Sequence, residues 1–425
     1  MYRVHENGRF LTRKDGTPFF YLGDTAWELF HRLDREEADD YLSDRAAKGF
    51  TVIQAVALAE QDGLETPNVY GDMPLENNDP TRPNEAYWMH VDYVVRKANA
   101  LGLIVGLLPT WGDKWNKTWG KGPEVFTPEN ARVYSAFVGS RYKNDDVLWI
   151  LGGDRRVQTM NHVRIIRAMA EGIKTGDEGR HLMTFHPQGQ ETASQYFHCD
   201  EWLDFTTCQT GHTFDRDNWR TVAADYARTP IKPCLDSEPG YEDHPNGWKP
   251  ETGWLDDYEC RKFLYWAVFA GACGHTYGCH DVWQMLSPKF PPVSNGRTPW
   301  REALHLPGAS QMQYAKQVLL ARPYFDRVPD QSLIVSDTFD GPLHRTHHIQ
   351  ATRDKNGRFA LVYSASGQPF TVKMDKLAGT VEATWINPRD GKAEMFAQFE
   401  AAGERSFIPP SNGRGHDWVL ALDVV

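Results

Sequence analysis

The stretch Lys232-Pro233-Cys234-Leu235-Asp236-Ser237-Glu238-Pro239-Gly240 combines a short apolar run with an abrupt end. The run is typical of a buried strand, and the Pro-Gly pair after Glu238 cannot continue a strand ladder. Glu238 therefore lies at the carboxyl end of a predicted strand. In a barrel of parallel strands, side chains at that end meet the substrate.

A second stretch, Val147-Leu148-Trp149-Ile150-Leu151-Gly152-Gly153-Asp154, has the same form: an apolar run, two glycines and then an acid. Asp154 is thus predicted to lie at the end of another strand. Two carboxyl groups at two strand ends are the minimum that a glycosidase needs.

Both stretches belong to a longer alternation of apolar runs and segments with helical periodicity. Eight strands, each followed by a helix, indicate a (β/α)8 TIM barrel. An open doubly wound sheet would normally carry a Gly-rich phosphate turn after its first strand, and Gly23-Asp24-Thr25-Ala26-Trp27 is not such a turn. The predicted strands are 19–23, 51–58, 103–109, 147–151, 182–186, 203–209, 232–236 and 273–277. The predicted helices are 35–48, 85–100, 128–142 with Thr127 as N-cap, 157–174, 192–202, 218–227, 256–270 and 310–320.

Helical periodicity disappears near the carboxyl-terminal end of the sequence. Short strands separated by turn pairs such as Asn356-Gly357 and Asp390-Gly391 predict a β-sandwich. We therefore expect a barrel domain over residues 1–328 and a small β-sandwich domain over residues 329–425. The predicted strands here are 333–335, 347–352, 359–363, 370–373, 381–387, 392–395 and 418–423.

Composition excludes some classes of partner. The net charge of −11 argues against nucleic acid or an anionic membrane as a partner, because no basic stripe could neutralise phosphates. An acidic polysaccharide stays compatible, since a few local Arg or Lys residues could bind its carboxylates. No stretch approaches the length of an apolar membrane span. The amino-terminal residues lack the apolar core of a signal peptide, which fits a cytoplasmic protein or an exported one whose signal has been removed.

Residues just past the predicted strands are polar or aromatic, which suits a pocket that binds a carbohydrate. Glu238 and Asp154 follow the seventh and fourth strands, which face each other across a barrel mouth. We assign Glu238 as nucleophile and Asp154 as acid/base of a retaining glycosidase. The predicted substrate-binding residues are Asp24, Trp27, Gln54, Trp111, His186, Gln209, His212, Tyr241, His275 and Tyr277.

Several of these residues have plainer interpretations. Asp24 could be an N-cap, and the Trp residues could pack in the core. Glu242, four residues after Glu238, either supports a neighbouring site residue or is a simple loop acid. His186, His212, His275 and His280 could instead form the metal site of a barrel hydrolase. Such enzymes usually carry His-x-His on the first strand, where this sequence has Gly23-Asp24. We therefore expect no metal and no other cofactor. A non-catalytic carbohydrate-binding barrel is disfavoured because both carboxyl groups are present.

The motifs in combination resemble one known family. Gly23-Asp24-Thr25-Ala26-Trp27, Gly152-Gly153-Asp154, Ser237-Glu238-Pro239 and Gly274-His275-Thr276-Tyr277-Gly278 resemble the apiosidase-like glycoside hydrolases, family 140. The resemblance implies a barrel enzyme that removes β-linked apiose, a branched pentose, from plant pectin or related glycosides. The family's acid/base Asp matches Asp154, and its nucleophilic Glu matches Glu238. Another retaining furanosidase or a galactanase of the same fold is the alternative.

Overall fold

The structure, a computed structural model, describes residues 2–335 and 344–425. A small antiparallel sheet of three strands comes first in the chain. Its β2 and β3 form a hairpin around the Asp15-Gly16 turn, with Leu11 opposite Phe19. The strands of this sheet are β1 (Tyr2–Val4), β2 (Leu11–Arg13) and β3 (Pro18–Phe19).

Eight parallel strands then form a barrel, as the alternation of apolar runs predicts. All of them are buried along their whole length, which is why the sequence shows continuous apolar runs rather than alternation. The barrel strands, first to eighth, are β4 (Tyr21–Thr25), β5 (Val52–Val56), β6 (Ile104–Leu108), β7 (Val147–Gly152), β8 (Met183–His186), β10 (Thr206–Gln209), β11 (Cys234–Asp236) and β12 (Gly274–Tyr277).

The barrel closes between β8 and β10. Neighbouring strands pair in the order β8-β7-β6-β5-β4-β12-β11-β10, with a short antiparallel strand β9 (Glu191–Thr192) added beside β10. Across the remaining seam, the Asp204 amide donates to the Met183 carbonyl at 2.9 Å and the Thr184 hydroxyl donates to the Phe205 carbonyl at 2.6 Å. The predicted TIM barrel is confirmed.

The helices around the barrel begin where capping residues allow. Thr127 caps α4 as predicted, accepting from the Asn130 amide while Pro128 occupies the first helical position. Of the predicted helix over 192–202, only the single turn α6 is helical in the structure. The helices are α1 (Leu29–Arg32), α2 (Arg35–Ala47), α3 (Glu85–Ala100), α4 (Pro128–Tyr142), α5 (Met160–Gly176), α6 (Ser194–Phe197), α7 (Asn218–Tyr226), α8 (Asp257–Phe269), α9 (His280–Trp283), α10 (Trp300–Ala303), α11 (Pro307–Leu320) and α12 (His344–His347). Within the described parts of the chain, none of these helices has the length and apolarity that crossing a membrane requires.

The carboxyl-terminal part is an antiparallel β-domain. A six-stranded sheet in the order β13-β14-β15-β20-β17-β18 packs against the two-stranded sheet of β16 and β19. Phe370, Val372 and Phe407 of the smaller sheet share one core with Val362 and Leu420 of the larger one. The strands are β13 (Arg327–Pro329), β14 (Ile349–Asp354), β15 (Phe359–Ser364), β16 (Phe370–Lys373), β17 (Thr380–Ile386), β18 (Ala393–Glu400), β19 (Glu404–Phe407) and β20 (Trp418–Val424).

One predicted strand of this domain is wrong. Residues 331–333 form a single 3-10 turn that Asp330 caps, and Ile334 makes only an isolated bridge to Val372. Strands β13 and β19 were not predicted. Each has only three or four residues, which is too short to show a reliable alternation.

The β-domain rests on helix α8 of the barrel. Arg261 reaches across to Asp417, with its Nε and Nη2 atoms at 3.0 Å from the carboxylate oxygens, and both side chains are buried. Tyr265 stacks on Tyr363 with ring centres 4.7 Å apart. Packing against the barrel therefore occupies one face of the β-domain.

Candidate active site

Strand β7 ends in an unusual backbone conformation that aims Asp154 into the barrel mouth. Gly152, Gly153 and Asp154 have φ values of 97°, 103° and 51°. A Cβ atom on Gly153 would lie 2.7 Å from the Gly112 amide nitrogen, so only glycine fits there. The left-handed conformation of Asp154 carries strain, and such strain is typical of functional positions.

Glu238 follows β11 and contacts two histidines. Its Oε1 atom is 3.2 Å from His212 Nε2, and its Oε2 atom is 2.9 Å from His186 Nε2 in an ion-pair contact rather than an aligned hydrogen bond. Burial by itself raises the pKa of Glu238, but the contacts with His186 and His212 outweigh it and lower the pKa to about 2. Glu238 is therefore a carboxylate over the whole physiological pH range.

Asp154 experiences the opposite electrostatic environment. Burial, then the negative charges of Glu238 and Glu60, raise its pKa to about 7. The side chain is 23% exposed and lines the cavity. Its carboxyl group accepts from the Gly189 amide at 3.3 Å and lies 3.4 Å from the Arg155 guanidinium. Asp154 can therefore hold a proton near neutral pH.

The two acids line one cavity of about 650 Å³ at the carboxyl ends of the barrel strands. Of the predicted site residues, five others also line it: Trp27, Trp111, Gln209, His212 and Tyr241. The volume suits a small oligosaccharide unit, and the mixture of aromatic faces and polar tips suits a sugar ring.

The cavity wall carries buried polar atoms that have no hydrogen-bond partner within residues 2–335 and 344–425. Buried polar groups in proteins are normally satisfied, so a cluster of unsatisfied ones in a cavity indicates a polar ligand. The set offers both donors and acceptors, as the hydroxyl groups of a sugar require. These atoms are Trp111 Nε1, Gln209 Oε1, His212 Nδ1 and His244 Nε2.

Five predicted substrate contacts lie beneath the cavity wall instead of on it: Asp24, Gln54, His186, His275 and Tyr277. His186 and Gln54 hold the nucleophile strand, because His186 contacts Glu238 and Gln54 donates to the Ser237 carbonyl at 3.1 Å. Tyr277 donates to Glu242 at 2.5 Å. Packed neighbours cover these five side chains, so their contact with a substrate stays a prediction, and the contacts above give three of them a supporting role as well.

Glu242 is likewise not the simple loop acid that the sequence analysis considered. It is 2% exposed, and besides the Tyr277 hydroxyl it accepts from the Gly308 amide at 3.1 Å. Burial raises its pKa to about 7. Glu242 therefore joins the barrel to helix α11 without reaching the cavity.

Asp24 is half of a buried ion pair, and we predict a structural phenotype for its loss. Its Oδ2 atom accepts from Tyr41 at 2.5 Å and from Arg45 Nε at 2.6 Å, and both Asp24 and Arg45 are fully buried. Arg45→Met should lower the free energy of unfolding by about 3–5 kcal/mol, since it leaves a buried carboxylate unpaired. Denaturant titration measures this loss.

Asp24→Asn should also be destabilised without a rise in KM; a raised KM at unchanged stability would instead place Asp24 against the substrate.

The four histidines of the alternative metal-site interpretation do not all contact the same groups. His186 and His212 contact Glu238, whereas His280 lies 3.0 Å from the Ser294 carbonyl and accepts from Trp283 Nε1 at 3.3 Å. His275 is buried, and burial lowers its pKa to about 3. Within the described ranges, no group of three His, Cys, Asp or Glu side chains is arranged to hold a metal ion.

Sequence reasoning missed several cavity residues because they lie on long loops, away from the strand ends. Glu60 follows β5 by four residues, and Arg216, His244 and Trp248 lie on the loops after β10 and β11. The only local signal was the unusual density of Gly, Pro and aromatic residues in 239–254. Trp119 lines the cavity with its ring stacked under the Arg155 guanidinium at 4.1 Å.

Comparisons with known proteins identify the family of the barrel. Residues 5–326 match the model of the apiosidase-like catalytic domain. The chain belongs to the apiosidase-like family. Its barrel is thus the catalytic domain of a glycoside hydrolase. Residues 328–423 are similar to a domain described as the putative collagen-binding domain of a collagenase.

Solved structures extend this result over the whole chain. A structure described as a glycoside hydrolase is 34% identical, with 99% of this chain and 96% of the other covered and a TM-score of 0.90. A glycoside hydrolase family 5 protein from Bacteroides vulgatus ATCC 8482 is 32% identical, with 99% and 93% covered and the same TM-score of 0.90. No curated protein matches the chain. The apiosidase-like enzyme and its two relatives therefore share barrel and β-domain alike.

Proposed function

We propose that this chain is a retaining glycoside hydrolase that removes β-linked apiose from plant pectin or related glycosides. Glu238 is the nucleophile and Asp154 the acid/base. The proposal is supported mainly by the difference between the pKa values of the two acids in one cavity. The pKa of Glu238 is lowered to about 2, and the pKa of Asp154 is raised to about 7. Two carboxyl groups that differ in this way are suited to the two roles of a retaining mechanism.

In the first step, ionised Glu238 attacks the anomeric carbon of the bound sugar. Protonated Asp154 donates its proton to the glycosidic oxygen, so the C–O bond breaks and the leaving sugar departs as an alcohol. His186 and His212 hold the Glu238 carboxylate in place. The product of this step is a glycosyl ester on Glu238, with Asp154 now ionised.

In the second step, Asp154 accepts a proton from a water molecule that attacks the same anomeric carbon. The ester bond to Glu238 breaks, and the sugar leaves with the configuration it had in the substrate. Both acids thereby return to their starting protonation states. The sugar itself is proposed from the family match, and the unsatisfied polar atoms of the cavity wall agree with a polyhydroxylated ring.

The two pKa values predict the pH dependence of kcat/KM. Activity requires Glu238 ionised, which holds above pH about 2, and Asp154 protonated, which holds below pH about 7. We therefore expect a plateau through the acidic range and a fall of about tenfold per pH unit above 7. Initial rates at substrate concentrations far below KM measure the profile. Thermal unfolding at each pH serves as control, and a plateau that continues to pH 9 would contradict the assignment of Asp154.

Apiose release from apiose-bearing pectic fragments tests the activity itself. Early time points followed by NMR should show the β anomer of the released sugar first, because two displacements retain the configuration. A chelator should leave the rate unchanged. Release of the α anomer would indicate inversion, and loss of activity with the chelator would favour the histidine-metal alternative.

A further inference from the structure

The cavity holds a third acid that the two-step reaction does not use. Glu60 lines it together with Asp154 and Glu238, and the residue is partly exposed there. Across residues 2–335 and 344–425, the Glu60 carboxyl group makes neither a hydrogen bond nor an ion pair. An acid without such partners acts on its neighbours through its charge.

The backbone on both sides of Glu60 is held by buried side chains. The Lys114 ammonium donates to the Ala59 carbonyl at 2.8 Å, and Glu28 Oε1 accepts from the Gln61 amide at 3.0 Å. Lys114 and Glu28 are both fully buried. Glu60 therefore has a fixed place at the cavity although it lies on a loop.

Two of the charges near Glu60 neutralise each other. Asp113 and Lys114 are 2.7 Å apart, and the Asp113 carboxylate also accepts from the Gly122 amide at 2.7 Å. Arg155 is then the cation that Glu60 and Asp154 have in common. One guanidinium thus faces two carboxyl groups.

Backbone carbonyl groups hold most of the Arg155 guanidinium. Its Nη1 atom donates to the Asp154 carbonyl at 2.7 Å and its Nη2 atom to the Trp119 carbonyl at 2.9 Å, whereas the Asp154 carboxyl group is 3.4 Å away. A guanidinium held in this way cannot neutralise two carboxylates. Ionisation of either acid therefore makes ionisation of the other less favourable.

Both acids accordingly hold protons near neutral pH. Burial, then the charges of Asp113 and Glu28, raise the pKa of Glu60 to about 7 against the opposing effect of Arg155. Glu60 in turn acts on Asp154, whose pKa of about 7 has burial, then Glu238, then Glu60 as its causes. The charged and titratable groups that face the two acids are Glu28, Asp113, Lys114 and Arg155 around Glu60, and Arg155, His186 and Glu238 around Asp154.

We propose that Glu60 is a positioning residue for the acid/base: it faces the same guanidinium as Asp154 and thereby keeps the proton on Asp154 until the leaving oxygen takes it. The role rests on the proposed glycosidase function and deepens it. In the first step the proton moves from Asp154 to the glycosidic oxygen, and in the second step Asp154 takes a proton from water. Glu60 has the same protonation state before and after the cycle.

The alkaline limb of the pH profile tests this role. Glu60→Gln removes the charge and nearly keeps the shape, so ionised Asp154 becomes more favourable and its pKa falls. The decline of kcat/KM should therefore begin about 0.5–1 pH unit lower than in the wild type, with an acidic plateau within about threefold of it. Glu60→Asp, which restores the charge, should move the limb back towards the wild type.

Glu65→Gln is the matched control, because Glu65 is an exposed acid on the same loop. It should keep the wild-type profile. Thermal unfolding verifies the fold of each variant, and Glu60→Ser, which also removes the charge, takes the place of Glu60→Gln if the amide variant does not fold.

Titration of Asp154 without turnover separates this role from the glycosidase proposal. Carbon NMR of protein with isotope-labelled aspartate reports the pKa of Asp154, and the signal is assigned by its absence in Asp154→Asn. This pKa should be lower in Glu60→Gln than in the wild type. An unchanged pKa, or a raised KM with an unchanged alkaline limb, would overturn the role of Glu60. Absence of catalysis by the wild type would overturn the proposed function, while the NMR titration still decides whether Glu60 acts on Asp154.

Discussion

Glu238→Gln is expected to lower kcat/KM for apiose release by about 10⁴-fold or more, because the amide cannot form the glycosyl ester. The loss should be similar for substrates with good and poor leaving groups, since both need the same nucleophile. The amide is nearly isosteric, so the variant should keep its fold. Stopped assays of released apiose at high enzyme concentration measure the residual rate.

Glu242→Gln is the matched control for this prediction. Both acids are buried and lie on the same segment after β11, but Glu242 contacts Tyr277 and Gly308 instead of the cavity. Its replacement should retain catalysis within a few-fold while shifting the unfolding midpoint. If Glu242→Gln lost activity and Glu238→Gln kept it, the nucleophile would have to be reassigned. A fluorinated apiosyl substrate that traps the ester should in addition label a wild-type peptide containing Glu238.

The barrel was predictable because each of its strands is a local feature of the sequence. Strands buried on both faces require continuous apolar runs, and their ends require residues such as Pro239 or Gly153 that cannot continue the ladder. Helix starts were equally local, as the Thr127 cap shows. The short strand Glu404–Phe407 was not predicted because three of its four residues are exposed, so its pairing with β16 decides its conformation more than its composition does.

The two carboxyl groups were predictable for the same reason, since each ends a strand. How deeply each side chain lies within the barrel mouth was not predictable. Asp24 also ends an apolar run, but it forms a buried ion pair with Arg45, which lies 21 residues away on α2. Trp248 lies far from any strand end and lines the cavity from a loop whose Gly247 amide donates to the His212 carbonyl. Contacts between loops that are distant in sequence leave no local pattern, so the cavity wall was predicted only in part.

Asp154→Asn should separate the two chemical steps. With the natural sugar leaving group, kcat/KM is expected to fall about 10²- to 10⁴-fold, because the amide cannot donate the proton that the departing oxygen needs. With a nitrophenyl apioside, the leaving group needs no proton, so the first step should stay fast. The second step still needs Asp154 as base, so a rapid burst of nitrophenol should precede slow turnover.

The pH profile and an external nucleophile complete this prediction. The fall above pH 7 should disappear in Asp154→Asn, since the group with the raised pKa is gone. Azide, which needs no base, should speed turnover and yield the β-apiosyl azide by attack on the Glu238 ester. Asp145→Asn, at the opposite end of the same strand, should behave like the wild type. If azide instead gave the α product, the sugar would have been attacked without a covalent intermediate, and Glu238 would act as a base for water rather than as the nucleophile.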